Sequence, residues 1–356
     1  MTKKLMLLMM CCAVAMALRI DIASAGAGAL PASRDLTRLD QFLTRVATEL
    51  PLGLEVLIVQ NGQQIYWKQF GRWQKNHRVA IASGTKWYSG AVIMSLVDDG
   101  IVSLDDRASK FLPYMKGEKA TITIRQLMSH TAGFAGEQPA AHPCMNDARD
   151  TLAHCAEALA NVPLKAPPGA AFIYAGADMQ IAGRVAEVAT GKDWQTLFRE
   201  RIAAPLGLTA TDYEWKGPTR NPRISGGGRS TVSDYMNFLT MIEQHGMYEG
   251  HRVLSARAVE VMLSDQTGGA PIVESPFRRP GLANPRGGNN RYGIGCWLEE
   301  PDARGHWTLN SSPGAFGWAP YIDSTRNLQV VVGVLSLRKF QPHYAEMKNL
   351  IRELTN

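Results

Sequence analysis

Apolar residues recur along this chain with two periods, one typical of helices and one typical of strands. Leucine and valine at three- and four-residue spacing predict an amphipathic helix over 35–50. Two strand-like runs follow, 54–60 and 63–70, and Asn61-Gly62 between them suits the positive φ angles of a two-residue hairpin turn. A second helix is predicted over 83–99.

Strand patterns return near the end of the chain. Three runs predict strands and a fourth predicts a last helix: 293–298, 317–323, 328–335 and 342–354. The stretch 101–285 has short helical patterns and many Gly/Pro turns. We therefore expect an α+β fold in which an α/β sandwich lobe, about 35–100 and 286–356, holds an antiparallel sheet flanked by helices from both termini, while 101–285 forms an all-helical lobe.

The first 25 residues have the pattern of a secretory signal peptide. Lys3 and Lys4 precede an apolar run at 5–18, and Ala23-Ser24-Ala25 offers a small-residue cleavage site. The run is shorter than the roughly 20 residues that span a bilayer, so we expect processing and no stable membrane span. The mature protein, 26–356, is then exported to the periplasm or secreted.

Composition and charge narrow the classes of function. With 356 residues, 45% of them hydrophobic, the chain is long enough for a large globular core. Its formal net charge of +6 is spread without a Lys/Arg-rich run, which argues against nucleic-acid binding. No pattern indicates a cofactor, and none indicates an oligomeric state.

Three cysteines lie beyond the signal peptide. Cys144 and Cys155 flank a short polar stretch, and in an oxidising compartment we expect them to form a disulfide. A metal site formed by these cysteines with His142 and His154 is the alternative, although the spacing matches no zinc pattern. Cys296 falls in a strand-like run and is expected in the core.

Two Ser-x-x-Lys segments are candidates for nucleophilic chemistry. Ser83-Gly84-Thr85-Lys86 begins a predicted helix, so its serine and lysine should share one helix face. A serine hydroxyl needs a nearby base, and a lysine can be that base where burial lowers its pKa. Ser336-Leu337-Arg338-Lys339 has the same form. It follows a strand pattern and begins no predicted helix, so we interpret it as a strand end with solvated basic residues.

Other segments in register with Ser83 carry a resemblance to a known family. They are Trp87-Tyr88, 97–106, 123–133, Pro168-Gly169 with Phe172 and Tyr174, 227–231 and 312–317. In this order, over most of 35–356, the chain resembles the β-lactamase-related serine hydrolases, which include class C β-lactamases, D-alanyl-D-alanine carboxypeptidases and family VIII carboxylesterases. The resemblance implies the β-lactamase/penicillin-binding-protein-like transpeptidase fold.

The resemblance also implies a two-step acyl transfer. Ser83 would form an acyl-enzyme, and Lys86 would share proton transfer with Tyr174, which matches the tyrosine of the family's Tyr-x-Asn element. Which of the two is the base at each step stays open. The backbone N–H groups of Ser83 and Ala315 would form the oxyanion hole. Three further positions would contact the substrate: Gly176, Ser312 and Gly314.

Two family elements are altered. Tyr174-Ala175-Gly176 lacks the expected amide, and Ser312-Pro313-Gly314 lacks the expected cation. Substrates with a carboxylate beside the scissile bond are therefore less favoured than neutral esters. Arg229 could supply a replacement charge, although a solvated arginine is the simpler interpretation. Pro313 cannot donate a sheet hydrogen bond, so we expect it on an edge strand facing the cleft.

Three functions follow as hypotheses. The first is a carboxylesterase for small esters, and the second is a β-lactamase or D-Ala-D-Ala carboxypeptidase-type amidase. The third is a non-catalytic binding or sensing protein on the same fold. Retention of Ser83, Lys86 and Tyr174 together favours an enzyme. His130, in Ser-His-Thr-Ala-Gly, is interpreted as part of a structural turn and not as a base.

Overall fold

The computed structural model describes residues 35–136, 142–276 and 291–355. The chain divides into two units, Met1–Leu36 and Thr37–Asn356, and every helix and strand given below lies in the second. The expected signal peptide, 1–25, lies outside the described residues. Within the described ranges, no helix combines the length and the apolar character that crossing a membrane requires.

Helices and strands alternate unevenly along the second unit. The helices are α1 Thr37–Glu49, α2 Thr85–Asp98, α3 Ile124–Met128, α4 Leu152–Ala160, α5 Gly176–Thr190, α6 Trp194–Phe198, α7 Val232–Glu243, α8 Ala256–Met262 and α9 Leu337–Leu354. The strands are β1 Leu54–Gln60, β2 Gln63–Phe70, β3 Val79–Ala80, β4 Phe172–Ile173, β5 Arg229–Ser230, β6 Met247–Tyr248, β7 His251–Arg252, β8 Ile272–Glu274, β9 Arg291–Tyr292, β10 Trp297–Pro301, β11 Trp307–Ser311, β12 Ala319–Asp323 and β13 Leu328–Val334.

The main sheet of the described residues has seven strands in the order β2-β1-β13-β12-β11-β10-β9, and every neighbouring pair is antiparallel. Asn61 and Gly62 have φ angles of 51° and 72°, so the chain turns between β1 and β2 where the sequence predicts. β1 and β13, the first and last strands of the sheet in chain order, pair with each other, and Leu54 lies opposite Val334. The α+β fold class is therefore confirmed.

Helices cover the centre of this sheet. All residues of β1 and β13 are buried, as is typical of strands covered on both faces. α7 packs against β1, β12 and β13, where Leu57 and Val331 join the main hydrophobic core. α1 packs against α9, and Arg352 of α9 donates to Asp323 of β12 at 2.9 Å.

α2 lies inside the main core. Its residues from Thr85 to Leu96 are all buried, so the helix has no exposed face over that length. It packs against α5 and α8. The described strands between 101 and 276 have only two or three residues each, so helices dominate this part of the chain as the sequence predicts.

Several details near the C-terminus differ from the expectations. α9 begins at Leu337 and not at about 342, so the second Ser-x-x-Lys segment does begin a helix. β11 was not predicted, and the strand expected at 293–298 is found as β10, four residues later. The expectation that Pro313 lies on an edge strand is wrong. β11 ends at Ser311 and lies between β10 and β12, so the missing N–H of Pro313 falls beyond the ladder and costs it no hydrogen bond.

Candidate active site

The segment Ala82–Gly84 forms a single 3₁₀ turn that leads directly into α2, with Ser83 at its centre. Ala82 has a φ of 46°, a left-handed conformation that few non-glycine residues adopt. The Thr85 hydroxyl donates to the Ala82 carbonyl at 2.6 Å and accepts from the Gly228 N–H at 2.9 Å. These bonds hold the turn, and Ser83 therefore stands in a fixed position at the N-terminal end of a buried helix.

Lys86 lies one turn further along α2 and faces Ser83. Its Nζ is 3.2 Å from Ser83 Oγ, and it donates to the Ser225 carbonyl at 2.7 Å. The residue is only 1% exposed. An amine within hydrogen-bond reach of a hydroxyl meets the geometric requirement for transfer of the hydroxyl proton.

Tyr174 lies between β4 and α5, and its ring contacts the Lys86 ammonium group. Lys86 Nζ is 4.5 Å from the centroid of the Tyr174 ring, a cation–π distance. The ring stacks on Trp297 of β10, with centroids 5.3 Å apart and planes inclined by 24°. The structure thus brings Ser83, Lys86 and Tyr174 together at the end of α2.

The loop after β11 contacts the Ser83 turn closely. The Ser312 hydroxyl donates to the Ser83 carbonyl at 3.1 Å. A Cβ on Gly314 would lie 2.1 Å from the Ile81 carbonyl oxygen, so only glycine fits at this approach. Ser312 and Gly314 are therefore positioned against the main chain that carries Ser83, and the exposed Ala315 follows directly.

The remaining recognition candidates carry no available charge. Gly176 is the first residue of α5 and is buried. Arg229 donates two hydrogen bonds of 2.9 Å to Asp212 and lies 3.4 Å from Glu214. Arg78 also contacts Asp212. Arg229 is ion-paired and not simply solvated, and two carboxylates already compensate its charge.

Three contributors to this site had weak or no signals in the sequence. Ser225 contributes its main-chain carbonyl, which any residue type could supply. Trp297 is placed beside Tyr174 by the position of β10 in the sheet, which local patterns do not reveal. His130 is completely buried, with its ring centroid 4.6 Å from that of Tyr174. Burial, together with the charge of Lys86, holds the pKa of His130 well below its usual range, so the ring is neutral.

The cysteines lie where the sequence indicates. A disulfide joins Cys144 to Cys155, so neither thiol is available to a metal. Cys296 is buried, and burial raises the pKa of its thiol. Across 35–136, 142–276 and 291–355, no group of three or more His, Cys, Asp or Glu side chains is arranged to hold a metal ion.

Comparison with known proteins gives a consistent assignment. The Beta-lactamase family model matches residues 43–355. Penicillin-binding protein 4 of Amycolatopsis lactamdurans is 31% identical over 219 residues, which are 52% of this chain and 56% of that protein. The chain therefore matches little more than half the length of this curated relative.

Solved structures extend the similarity over most of the chain. A protein of Bacteroides dorei DSM 17855, provisionally assigned as a β-lactamase, is 30% identical with a TM-score of 0.80, and the match covers 91% of this chain and 99% of that one. EstCE1, a hydrolase with promiscuous acyltransferase activity, is 20% identical with a TM-score of 0.71 and coverages of 90% and 98%. At that identity the second match shows the fold alone.

Proposed function

Because this chain belongs to the β-lactamase family, whose members are serine hydrolases, we propose that it hydrolyses small neutral carboxylic esters through an acyl-enzyme on Ser83. The contact between Lys86 Nζ and Ser83 Oγ, 3.2 Å long and made by a lysine that is only 1% exposed, is the observation that carries this proposal. A buried amine beside a hydroxyl at a helix N-terminus is suited to activate that hydroxyl as a nucleophile.

The proposed reaction has two balanced steps. Ser83 Oγ attacks the ester carbonyl carbon, its proton passes to the Lys86–Tyr174 pair, and the alcohol leaves with a proton from that pair. A water molecule then attacks the acyl-enzyme, releases the carboxylic acid and restores the Ser83 hydroxyl. The backbone N–H groups of Ser83 and Ala315 are the proposed donors to the oxyanion. The short approach of Gly314 to Ile81 supports this pairing of loop and turn.

The charges around the site support neutral esters as substrates. Ser312-Pro313-Gly314 carries no cation, and the Ser312 hydroxyl is engaged by the Ser83 carbonyl. Arg229 is held by Asp212 and Glu214. A substrate carboxylate would therefore find no cation in Ser312-Pro313-Gly314 and an already paired one in Arg229, whereas a neutral ester needs neither.

An aromatic pair supports an apolar substituent on the ester. Phe316 follows Ala315, and its ring lies 6.1 Å from that of Trp215, centroid to centroid. The main-chain N–H of Trp215 donates to the Gly227 carbonyl at 3.2 Å, two residues from the Ser225 carbonyl that accepts from the Lys86 ammonium group. Both rings are half-buried. They offer an apolar wall beside the proposed oxyanion hole.

A second candidate function is a β-lactamase or D-Ala-D-Ala carboxypeptidase-type amidase. It is favoured by the family itself and by the similarity to a penicillin-binding protein. A non-catalytic binding protein on the same fold is the third candidate. The Cys144–Cys155 disulfide supports a proposed location in an oxidising compartment outside the cytoplasm.

The proposal is tested with Ser83→Ala, with Ser336→Ala as the matched control. We expect Ser83→Ala to lower p-nitrophenyl butyrate turnover by more than about a thousandfold, because the nucleophile is removed, and Ser336→Ala to leave it unchanged. Intact-mass spectrometry should find one acyl group on the wild type and none on Ser83→Ala. Full turnover by Ser83→Ala would refute the assignment of the nucleophile.

The same measurement separates the three functions. A panel of neutral esters, a penicillin and an acyl-D-Ala-D-Ala peptide is compared by kcat/KM. Faster turnover of the penicillin or the peptide than of every ester would favour the amidase and overturn the esterase. Binding of these compounds without acylation or turnover would favour the non-catalytic protein.

A further inference from the structure

His130 occupies an unusual position directly behind Tyr174. It follows α3, and its φ of 59° lies in the left-handed region. The residue is completely buried. Its ring packs among those of Phe172, Tyr174 and Tyr292, with centroid distances of 5.9, 4.6 and 4.8 Å. A polar ring in such surroundings loses its hydration, so hydrogen bonds within the protein must compensate for the loss.

Two hydrogen bonds connect His130 to the residues on either side of Tyr174. The Ile173 N–H donates to the His130 carbonyl at 2.9 Å. The Ala175 N–H donates to His130 Nδ1 at 3.4 Å. One residue therefore holds the main chain both before and after Tyr174, which restricts where the tyrosine ring can lie relative to Lys86.

The groups around His130 determine the protonation state of its ring. The charged and titratable groups that face the imidazole are Lys86 from α2, Asp178 from the first turn of α5 at 3.4 Å from Nδ1, and the Tyr174 and Tyr292 rings. Burial and the Lys86 charge favour the neutral ring. Nδ1 lies at 3.4 Å from both the Ala175 nitrogen and Asp178 Oδ2, so its lone pair can accept the Ala175 N–H, and a proton on it can be donated to Asp178.

We propose that His130 is a positioning residue, which holds Tyr174 against Lys86 in two ways. Its carbonyl accepts the Ile173 N–H, and its Nδ1 contacts Ala175 and Asp178, which follow the tyrosine. It touches neither the substrate nor the Ser83 hydroxyl, and it acts through the placement of Tyr174. This inference rests on the proposed function, because it assigns Tyr174 a part in proton transfer. It explains why a histidine, with an acceptor on a short side chain and tolerance of a left-handed backbone, stands at this position.

The test compares His130→Asn with His130→Leu. Asparagine tolerates the left-handed backbone and can place an amide oxygen near the position of Nδ1, whereas leucine offers no acceptor. We expect His130→Leu to lower kcat for p-nitrophenyl butyrate by about 10- to 100-fold, the effect of a displaced catalytic group, with KM changed less than about threefold. His130→Asn should recover most of kcat. The pH profile of kcat should change shape in His130→Leu and keep its shape in His130→Asn.

Each outcome decides for or against the positioning role of His130. Unchanged kcat in His130→Leu would overturn it, and so would an equal loss of kcat in the asparagine and leucine variants, as expected of a direct base. If His130→Leu does not fold, His130→Gln takes its place, since its amide lies one methylene too far along to accept from Ala175. Failure of the proposed function is separate, because it appears as turnover by Ser83→Ala.

Discussion

The two Ser-x-x-Lys segments show how the same local sequence gives two different environments. Ser83 lies in the 3₁₀ turn that leads into α2, and Ser336 immediately precedes α9, so each serine stands near the start of a helix. The helix setting therefore does not distinguish them. The surroundings do: Lys86 is 1% exposed, whereas Lys339 is exposed to solvent.

The difference comes from how each helix packs. α2 is buried on all sides along most of its length, so its lysine is enclosed and meets the Ser225 carbonyl and the Tyr174 ring. α9 has one buried face, from which Lys348 and Arg352 contact β10 and β12, and another face that is exposed to solvent. Lys339 lies on the exposed face. A four-residue motif becomes a candidate active site only where tertiary packing encloses it.

The largest expected effect separates the two lysines. Lys86→Met keeps an unbranched side chain of similar length and removes the amine, so turnover of p-nitrophenyl butyrate should fall by about 100- to 10,000-fold, the range for loss of a general acid–base group. Lys339→Met should leave turnover unchanged. Steady-state kinetics of both variants, with thermal unfolding as the check on folding, tests the comparison. Comparable losses in the two variants would show that burial does not distinguish the segments.

A smaller effect is expected from two tyrosines that each lie beside a lysine. Tyr174→Phe keeps the ring that lies 4.5 Å from Lys86 Nζ and removes only the hydroxyl. We expect kcat to fall by about 100-fold, because proton transfer loses one of its two groups. Tyr344 of α9, 5.7 Å from Lys348 Nζ, provides the control, and Tyr344→Phe should keep full kcat. Full kcat in Tyr174→Phe would leave Lys86 as the sole proton-transfer group.

The sequence predicts elements well where the signal is local. β1 and β2 have the predicted bounds because strand-like runs flank a two-residue turn signal. α9 was predicted too short because Pro342 is favoured at the first position of a helix. Phe340 is buried, and its packing favours a helix that starts before the proline. β11 has only five residues and ends in two polar ones, Asn310 and Ser311, so its own pattern is weak. It is ordered by pairing with β10 and β12.

The residues of the candidate site likewise include some that the sequence predicts and some that only the folded structure reveals. Ser83, Lys86 and Tyr174 were predicted from residue types in register, and the structure brings these side chains together. The part played by the Ser225 carbonyl was not predictable, because every residue type has a main-chain carbonyl. The environment of His130 was not predictable either, because it depends on β4, α5 and β9 meeting around one ring.

The smallest expected effect concerns stability, and it compares the buried His130 beside Tyr174 with His343 of α9. The pKa of His130 in the folded protein lies well below the value of about 6.5 expected for an unfolded histidine. Between these two values the unfolded chain binds a proton that the folded chain does not, so the free energy of unfolding should rise with pH and level off above about pH 7. One such group contributes at most about 1.4 kcal/mol per pH unit.

Urea unfolding of the wild type, His130→Asn and His343→Gln between pH 5 and 8 measures this contribution. His343, on α9 four residues after Lys339, pairs with Glu49 at the surface and is the matched control. The slope due to His130 should disappear in His130→Asn and persist in His343→Gln. Equal slopes in the wild type and His130→Asn would mean that the pKa of His130 is the same in the folded and unfolded chains, so that the folded ring gains its proton below about pH 6.5. A protonated ring has no lone pair on Nδ1 for the Ala175 N–H, so in that case the folded protein would lose this contact beside Tyr174 as the pH falls through that pKa.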